Sequence, residues 1–263
     1  MVWVAGHFGE WLQGRIRATG EVALVTLACP LRGASATFAA APALQIDDPA
    51  GLVGPDKAAA LLTALGLPLR GRITIAPDLP PGGGAGMSTA ALVALARAAG
   101  APEERIAAAC LAVEGAVDPL MLSAPAAVLW APRAARVVSR LVPPPAAEII
   151  GGFVGAPVAT DPGDTDFPLV DDLISEWERG PDLPHAARLA SLSAARTTEC
   201  RGPADDPTPA LAARLGALGW ARAHTGSARA LIFAPGAAPA EGEMRLTEEG
   251  YTHVLRFSTG GRT

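Results

Sequence analysis

Apolar and polar residues follow two spacings along this chain, and each spacing predicts one type of secondary structure. Within residues 1–38, short apolar and β-branched runs stand between glycines and prolines, which is typical of a sheet that opens with hairpins. Alternation with a period of two predicts further strands later in the chain. The expected strands lie at 2–5, 14–17, 21–27, 33–38, 72–75, 127–130, 135–142, 148–154, 229–233 and 252–257.

Between these strands, apolar residues recur at helical spacing. The expected helices lie at 56–65, from the end of a glycine-rich loop at 78–89 to about 100, and at 102–115, 168–178, 184–200 and 208–218. Pro102 suits the first turn of its helix, and Gly115 ends that helix. The proline run at 143–145 predicts a rigid connector, so we expect an N-terminal lobe at 1–144 and a C-terminal lobe at 145–263. This order of elements predicts an α+β fold.

Composition excludes several classes of protein. The hydrophobic fraction is 50%, yet no run of about 18 apolar residues occurs, so no membrane span is expected. The amino terminus lacks the features of a secretion signal, which makes a cytoplasmic location the expectation. The net charge of −5 and the lack of a basic cluster argue against nucleic acid as a partner. Cys29, Cys110 and Cys200 lie far apart, which predicts reduced thiols rather than a zinc or redox motif.

Lys57 is the only lysine in the chain, and its position excludes two classes of phosphate-binding protein. A Walker loop needs a Gly-Lys pair beside serine or threonine, whereas Lys57 follows Pro55 and Asp56. The strand lysine, the His-Arg-Asp loop and the Asp-Phe-Gly triplet of protein kinases are also missing. Phosphate recognition is therefore expected to depend on backbone amides, hydroxyls and arginine.

The loop at 78–89 carries the strongest chemical signal. Four of the five residues at 82–86 are glycine, which is more than a tight strand-to-helix turn requires, although such a turn is the alternative. The first turn of a helix presents unpaired amides and a partial positive charge, and glycine lets a polyphosphate approach the backbone. A dinucleotide fingerprint fits poorly, because Met87 stands where its third glycine should be. The expected ATP-binding residues are Pro81, Gly82, Gly83, Gly84, Ala85, Gly86, Met87, Ser88 and Thr89.

Three ordered segments resemble motifs of the GHMP kinase superfamily. Residues 80–90 resemble its phosphate loop. Residues 6–14 resemble the opening motif of the L-threonine kinase branch, which is associated with cobalamin synthesis and propanediol utilization, and residues 223–228 are similar to the third motif of that branch. The resemblance implies a ribosomal-S5-like N-terminal lobe, a ferredoxin-like C-terminal lobe and ATP in the cleft between them. It also implies transfer of the γ-phosphoryl group to a hydroxyl of a small metabolite, such as L-threonine or a related amino acid or alcohol.

Two carboxylates follow at the end of the helix expected at 102–115. By resemblance, Glu114 and Ser88 would ligate Mg²⁺, which prefers oxygen ligands and neutralises charge during phosphoryl transfer. Asp118 could accept the proton of the substrate hydroxyl or orient that hydroxyl. The alternative is a solvated helix surface for Glu114 and a turn residue before proline for Asp118. The expected catalytic residues are Asp118, Ser88 and Glu10.

Glu10 and Gln13 lie in an apolar segment, where a buried polar group is costly unless it is paired. They are candidates to hold the amino or hydroxyl group of a small hydroxylated substrate. His7 and His224 each have the alternative of a structural histidine. The expected substrate-binding residues are Glu10, Gln13, His224, Gly226 and Ser227. The sequence leaves the formation of a homodimer open.

Three positions depart from the motifs: the usual leucine is Ala85, the first serine is Met87, and the aspartate expected after Ser-Thr-Ala is Ala91. These departures motivate a second hypothesis, a non-catalytic nucleotide or metabolite sensor on the same fold. A third hypothesis is a serine hydrolase, because 86–90 is close to a Gly-x-Ser-x-Gly elbow. Its triad would be Ser88, His224 and an aspartate such as Asp205, but it leaves the other glycines unexplained.

Overall fold

One sheet of ten strands passes through both halves of the chain in the computed structural model, which describes residues 1–158 and 160–261. The strands are β1 Val2–Arg15, β2 Val22–Ala39, β3 Leu44–Asp47, β4 Gly71–Pro77, β5 Val128–Ala131, β6 Arg136–Arg140, β7 Ala147–Phe153, β8 Gly219–Arg222, β9 Ala228–Phe233 and β10 Thr252–Thr259. The helices are α1 Gly54–Leu65, α2 Met87–Ala98, α3 Glu103–Glu114, α4 Asp171–Trp177, α5 Leu183–Arg201, α6 Thr208–Arg214 and α7 Gly242–Glu248, and a 3₁₀ turn lies at Pro125–Ala127.

The strand order β10-β7-β9-β8-β1-β2-β4-β3 places β1 where the two halves of the sheet meet. All neighbours along this path are antiparallel except β3 and β4, and the β5–β6 hairpin is attached to β2. On one side β1 pairs with β2 over most of its length, with Glu10 opposite Thr26. On the other side Glu10 stands opposite Arg222 of β8. Glu10 therefore lies at the junction between the N-terminal and C-terminal strands.

The prediction of four short strands within residues 1–38 is wrong, because the structure has two long strands there, β1 and β2. Glycines within β1 suggested strand ends, but they mark irregular pairing and close packing instead, as glycines inside strands often do. A side chain at Gly9 would meet the backbone of Arg222, and one at Gly14 would meet Pro168. The patterns also failed to predict β3, β8 and α7, which are all short.

The expected helices are confirmed, with differences of a few residues at their ends. α3 begins after Pro102 and ends at Gly115, as the sequence predicts. α2 is buried on almost every side and packs against β1, β2 and β4. Its alanine-rich composition lets these elements approach closely, so the start of α2 is held by the core.

Most of the core is one apolar cluster that includes residues from both halves of the chain. A second, smaller cluster lies between β7, β9 and the helices α5, α6 and α7. Cys29 and Cys110 are buried, Cys200 is exposed, and all three are free thiols. In the described part of the chain, no helix has the length and apolar character needed to cross a membrane.

Candidate active site

A cavity of about 410 Å³ opens where the loop before α2 faces β1, the end of α3 and the turn after β8. Its walls include every residue from Pro80 to Thr89. The ionisable residues that line it are His7, Glu10, Lys57, Glu114, Asp118 and His224. The expected phosphate loop and both expected carboxylates of α3 and its turn therefore share one cavity.

The carbonyl groups of the glycine-rich loop are bound by neighbouring segments. The Gly82 carbonyl accepts from the amide of Val158 at 3.0 Å, and the Gly83 carbonyl accepts from the amide of Ala228 at 2.8 Å. The Ala85 carbonyl accepts from the amide of His7 at 3.2 Å. These three bonds fix the loop against β1, β9 and the segment after β7.

Glycine is required in this loop for two physical reasons. Gly84 and Gly86 have φ values of +77° and +68°, a backbone conformation that residues with a side chain rarely adopt. A side chain at Gly84 would also meet the carbonyl of Thr225, and one at Gly86 would meet the ring of His7. Close packing thus accounts for part of the glycine content, beside the phosphate site that the sequence favours and the tight turn that is its alternative.

At the start of α2, backbone amides are available for an anion. The first bond of this helix runs from the amide of Ala90 to the carbonyl of Gly86, at 2.8 Å. Helix geometry therefore leaves the amides of Met87, Ser88 and Thr89 without partners in the helix, at its positive end. Ser88 is half-buried in the cavity wall, whereas Met87 is buried. Such a site is suited to a phosphate group.

Ser88 and Glu114 form the candidate magnesium site. The Ser88 hydroxyl donates a hydrogen bond to Oε1 of Glu114, so the two oxygens lie together at the start of α2. Hydroxyl and carboxylate oxygens are ligands that Mg²⁺ prefers, and both residues face the cavity. This donor set fits Mg²⁺.

Lys57 also reaches this site, which the sequence did not predict. Its ammonium group lies 2.8 Å from Oε1 of Glu114 and donates to the carbonyl of Leu52 at 3.3 Å. Because Lys57 is outside the glycine loop, no lysine is expected from the sequence to bind phosphate. No local motif marks it, since only the packing of α1 against α3 brings it to Glu114.

His7 connects two acidic residues in the same cavity. Its Nε2 lies 3.1 Å from Oδ2 of Asp118, and its Nδ1 lies 3.4 Å from Oε1 of Glu10. Asp118 also interacts with Thr89, whose hydroxyl lies 3.4 Å from Oδ2 and accepts from the Asp118 amide at 3.3 Å. His7 and Glu10 are 4% and 1% exposed and so are shielded from water, whereas the side chain of Asp118 is 24% exposed.

Burial and charge together change the pKa values of these three residues. Burial by itself would lower the pKa of His7, but the carboxylates of Asp118 and Glu10 outweigh it and raise that pKa to about 9. Burial raises the pKa of Glu10 to about 8, against the opposing effect of His7. Burial also opposes ionisation of Asp118, yet the imidazolium of His7 prevails and the pKa of Asp118 is lowered.

An aromatic and cationic wall adjoins this group. His224 stacks on Phe167 with ring centroids 4.0 Å apart, and the guanidinium carbons of Arg201 and Arg133 lie 4.2 and 5.7 Å from the Phe167 centroid. Burial, with the two arginines, lowers the pKa of His224 to about 3, so its ring is neutral. The charge of Arg201 is paired with Asp164 in this wall.

The remaining substrate-binding candidates lie behind the cavity wall. Gln13 is fully buried, and its side-chain amide donates to the carbonyl of Arg222 at 2.9 Å. Gly226 packs against the backbone of Gly83 and Gly84, and Ser227 is buried. The structure brings Glu10, Asp118 and His224 to the cavity surface, whereas Thr225 takes the lining position next to Gly226.

The geometry does not assemble the triad of the hydrolase hypothesis. The Ser88 hydroxyl bonds to Glu114, while the ring of His224 stacks on Phe167. Asp205 is exposed on the segment before α6. Within the described residues, no serine-to-histidine hydrogen bond is formed at this site.

Solved structures resemble the chain over nearly its whole length. A mevalonate kinase from L. major in complex with R-mevalonate has a TM-score of 0.65 and 15% identity, covering 98% of this chain and 94% of that chain. A protein from Listeria monocytogenes that is assigned as a homoserine kinase has a TM-score of 0.58 and 14% identity, covering 99% of this chain and 98% of that chain. Lactococcus lactis galactokinase complexed with galactose has a TM-score of 0.59 and 9% identity, covering 100% and 95%.

The chain has the GHMP kinase fold. The expected α+β class and two-lobed architecture are therefore confirmed. At the level of sequence, no protein-family model matches the chain, and no curated protein matches it either. The GHMP kinase fold was thus visible in the sequence only through short motifs.

Proposed function

We propose that this protein is an ATP-dependent kinase that transfers the γ-phosphoryl group to a hydroxyl of a small amino acid, L-threonine or a close relative. The observation that carries the proposal is that the amide-rich start of α2, the Ser88–Glu114 pair and Asp118 face one cavity. A phosphate site and a candidate base therefore line the same cavity. The GHMP kinase fold supports this reading.

In this proposal the loop at 81–89 holds the phosphates. The first-turn amides of α2 and the Ser88 hydroxyl donate to phosphate oxygens. Ser88 and Glu114 would hold Mg²⁺, which would supply charge neutralisation for the phosphates. The nucleotide cleft would lie between the lobes at 1–144 and 145–263.

Asp118 then serves the acceptor hydroxyl. As the acceptor oxygen forms its bond to the γ-phosphorus, the bond from that phosphorus to the β-bridging oxygen breaks and ADP leaves. The hydroxyl proton passes to the carboxylate of Asp118. His7, at 3.1 Å, keeps this carboxylate ionised and fixed in orientation.

Charge in the cavity supports an amino acid as the acceptor. Both carboxylate oxygens of Glu10 are buried and form no hydrogen bond with the described residues, although Nδ1 of His7 lies 3.4 Å from Oε1, and an ammonium group would supply donors to them. The resemblance of residues 6–14 to the L-threonine kinase motif favours threonine within this class.

An ADP-release assay with MgATP and a panel of hydroxy amino acids, plain alcohols and sugars tests the proposal. We expect ADP release only with an acceptor present, and phosphorylation of the hydroxyl by mass spectrometry. Asp118→Asn should abolish most turnover while retaining ATP binding, whereas Asp47→Asn, an exposed change on β3, should be neutral. ATP binding without transfer to any acceptor would instead support a sensor, and an absence of ATP binding would overturn the assignment.

A further inference from the structure

Lys57 lies beside the cavity but has no role in the kinase chemistry proposed above. It lies in the first turn of α1, whose residues Ala58, Leu61, Leu62 and Leu65 are buried in the core. The preceding segment is held by Asp48, which accepts from the amides of Val53 and Gly54 at 2.7 and 3.1 Å. The backbone of Lys57 is therefore fixed beside the cavity.

Its side chain, in contrast, is free to change partner. The side chain of Lys57 is 44% exposed, while that of Glu114 is only 13% exposed. A partly exposed ion pair contributes little to stability, so folding alone gives weak reason for an ammonium group here. Its only contacts within hydrogen-bond distance, among the described residues, are Glu114 and the carbonyl of Leu52.

Few of the side chains that line the cavity could neutralise the charge of a bound triphosphate. Among the lining residues, Lys57 is the only lysine or arginine, whereas Glu10, Glu114 and Asp118 are acidic. The backbone amides at the start of α2 carry only partial charge. Since Lys57 contacts the same carboxylate oxygen as Ser88, its ammonium group already lies at the start of α2.

We propose that Lys57 is a phosphate-binding residue of this site, which exchanges its ion pair with Glu114 for the β- and γ-phosphates of the nucleotide. The inference rests on the proposed ATP site. The same exchange would free the carboxylate of Glu114 for Mg²⁺. Glu114 would therefore pair with Lys57 before the nucleotide binds and with the metal afterwards. An ammonium on a flexible stem is suited to such a change of partner.

Because the chain has a single lysine, chemical labelling can follow this residue directly. We would treat the wild-type protein with an amine-reactive ester and quantify the peptide containing Lys57 by mass spectrometry. The α-amino group of Met1, a residue that is 93% exposed, is an internal control for reagent and pH. With MgATP or MgADP at saturation, we expect labelling of Lys57 to fall in proportion to occupancy while Met1 is unchanged. AMP, which lacks the outer phosphates, should give no protection.

A variant provides the second measurement. Lys57→Met should weaken ADP binding about tenfold or more by calorimetry, since a hydrogen bond to a charged group is lost, with AMP binding unchanged. Lys57→Arg should retain most of the affinity for ADP. Equal labelling of Lys57 with and without bound MgATP would overturn the inference, as would wild-type ADP affinity in folded Lys57→Met.

These outcomes separate the inference from the kinase proposal. If wild-type protein binds no ATP by calorimetry, the ATP site itself fails. If it binds ATP but Lys57 is not protected, only the role of Lys57 fails. If Lys57 is protected but no acceptor is phosphorylated, the phosphate-binding role is supported while the proposed transferase activity fails.

Discussion

Nε2 of His7 lies 3.1 Å from Oδ2 of Asp118, and both side chains belong to the wall of one cavity. His7 lies in β1, the first strand of the chain, whereas Asp118 follows α3. The imidazolium stabilises the ionised carboxylate, and the carboxylate in turn favours the protonated imidazole. His7, for which a structural role was one alternative from the sequence, thus pairs with the candidate base.

This pair makes stability depend on pH in a defined direction. The pKa of His7 rises from 6.5 to about 9 in the folded protein, so its contribution is fully present below pH 6.5 and is lost as pH rises through 9. Glu10, with a pKa of about 8, acts in the same direction between pH 4.5 and 8. We expect the Tm of the wild-type protein to fall between pH 6.5 and 9.

His7→Gln removes the imidazolium, so the decline that it causes above pH 6.5 should disappear. His185→Gln, a change at a half-buried surface histidine near Glu176, is the matched control and should keep the wild-type profile. Thermal unfolding across this pH range measures the difference. An identical decline in wild-type and His7→Gln proteins would contradict the coupling.

Glu10→Gln tests the acceptor end of the cavity. Above pH 8, where the wild-type Glu10 is ionised, the neutral amide cannot replace its charged hydrogen bond to an ammonium group, so we expect the KM for the amino acid acceptor to rise about tenfold or more. The KM for ATP should stay within about twofold, because Glu10 lies on the side of His7 and not at Ser88. Steady-state kinetics with each substrate varied separates the two effects. A rise confined to the KM for ATP would remove Glu10 from the acceptor site.

Glu114→Gln tests the candidate metal ligand. Loss of one negative charge should raise the Mg²⁺ concentration required for half-maximal turnover and lower kcat, with about a tenfold or larger effect on kcat/KM. Glu104→Gln, on the exposed first turn of the same helix, supplies the control. A Mg²⁺ titration of both variants is the measurement. Equal curves for the two variants would exclude Glu114 as a ligand.

Gly84→Ala tests the phosphate loop. The positive φ of Gly84 disfavours alanine by about 1–2 kcal/mol, and the contact with the Thr225 carbonyl adds to that cost. We expect a lower Tm and weaker ATP binding. Gly20→Ala has a similar φ of +72° but open space around it, so it isolates the backbone strain. ATP affinity equal to wild type in Gly84→Ala would show that the loop tolerates a side chain there.

Local signals in the sequence were sufficient for several parts of this protein. α2 and α3 follow from apolar spacing with Pro102 and Gly115 at the ends of α3, because helix formation depends on neighbouring residues. The position of the loop between β4 and α2 follows from its glycines for the same reason. The long strands β1 and β2 were missed, because pairing across the sheet overrides the local tendency of glycine to end a strand.

By itself, the sequence determined most of the helices, the glycine loop at the start of α2 and the carboxylates Glu114 and Asp118 at the end of α3 and just after it. Only the tertiary structure decided which side chains meet them. Lys57 reaches Glu114 through the packing of α1 against α3, and His7 reaches Asp118 through the pairing of β1 in the centre of the sheet. Such contacts join residues distant in the chain, and no local spacing encodes them because they depend on how whole elements pack.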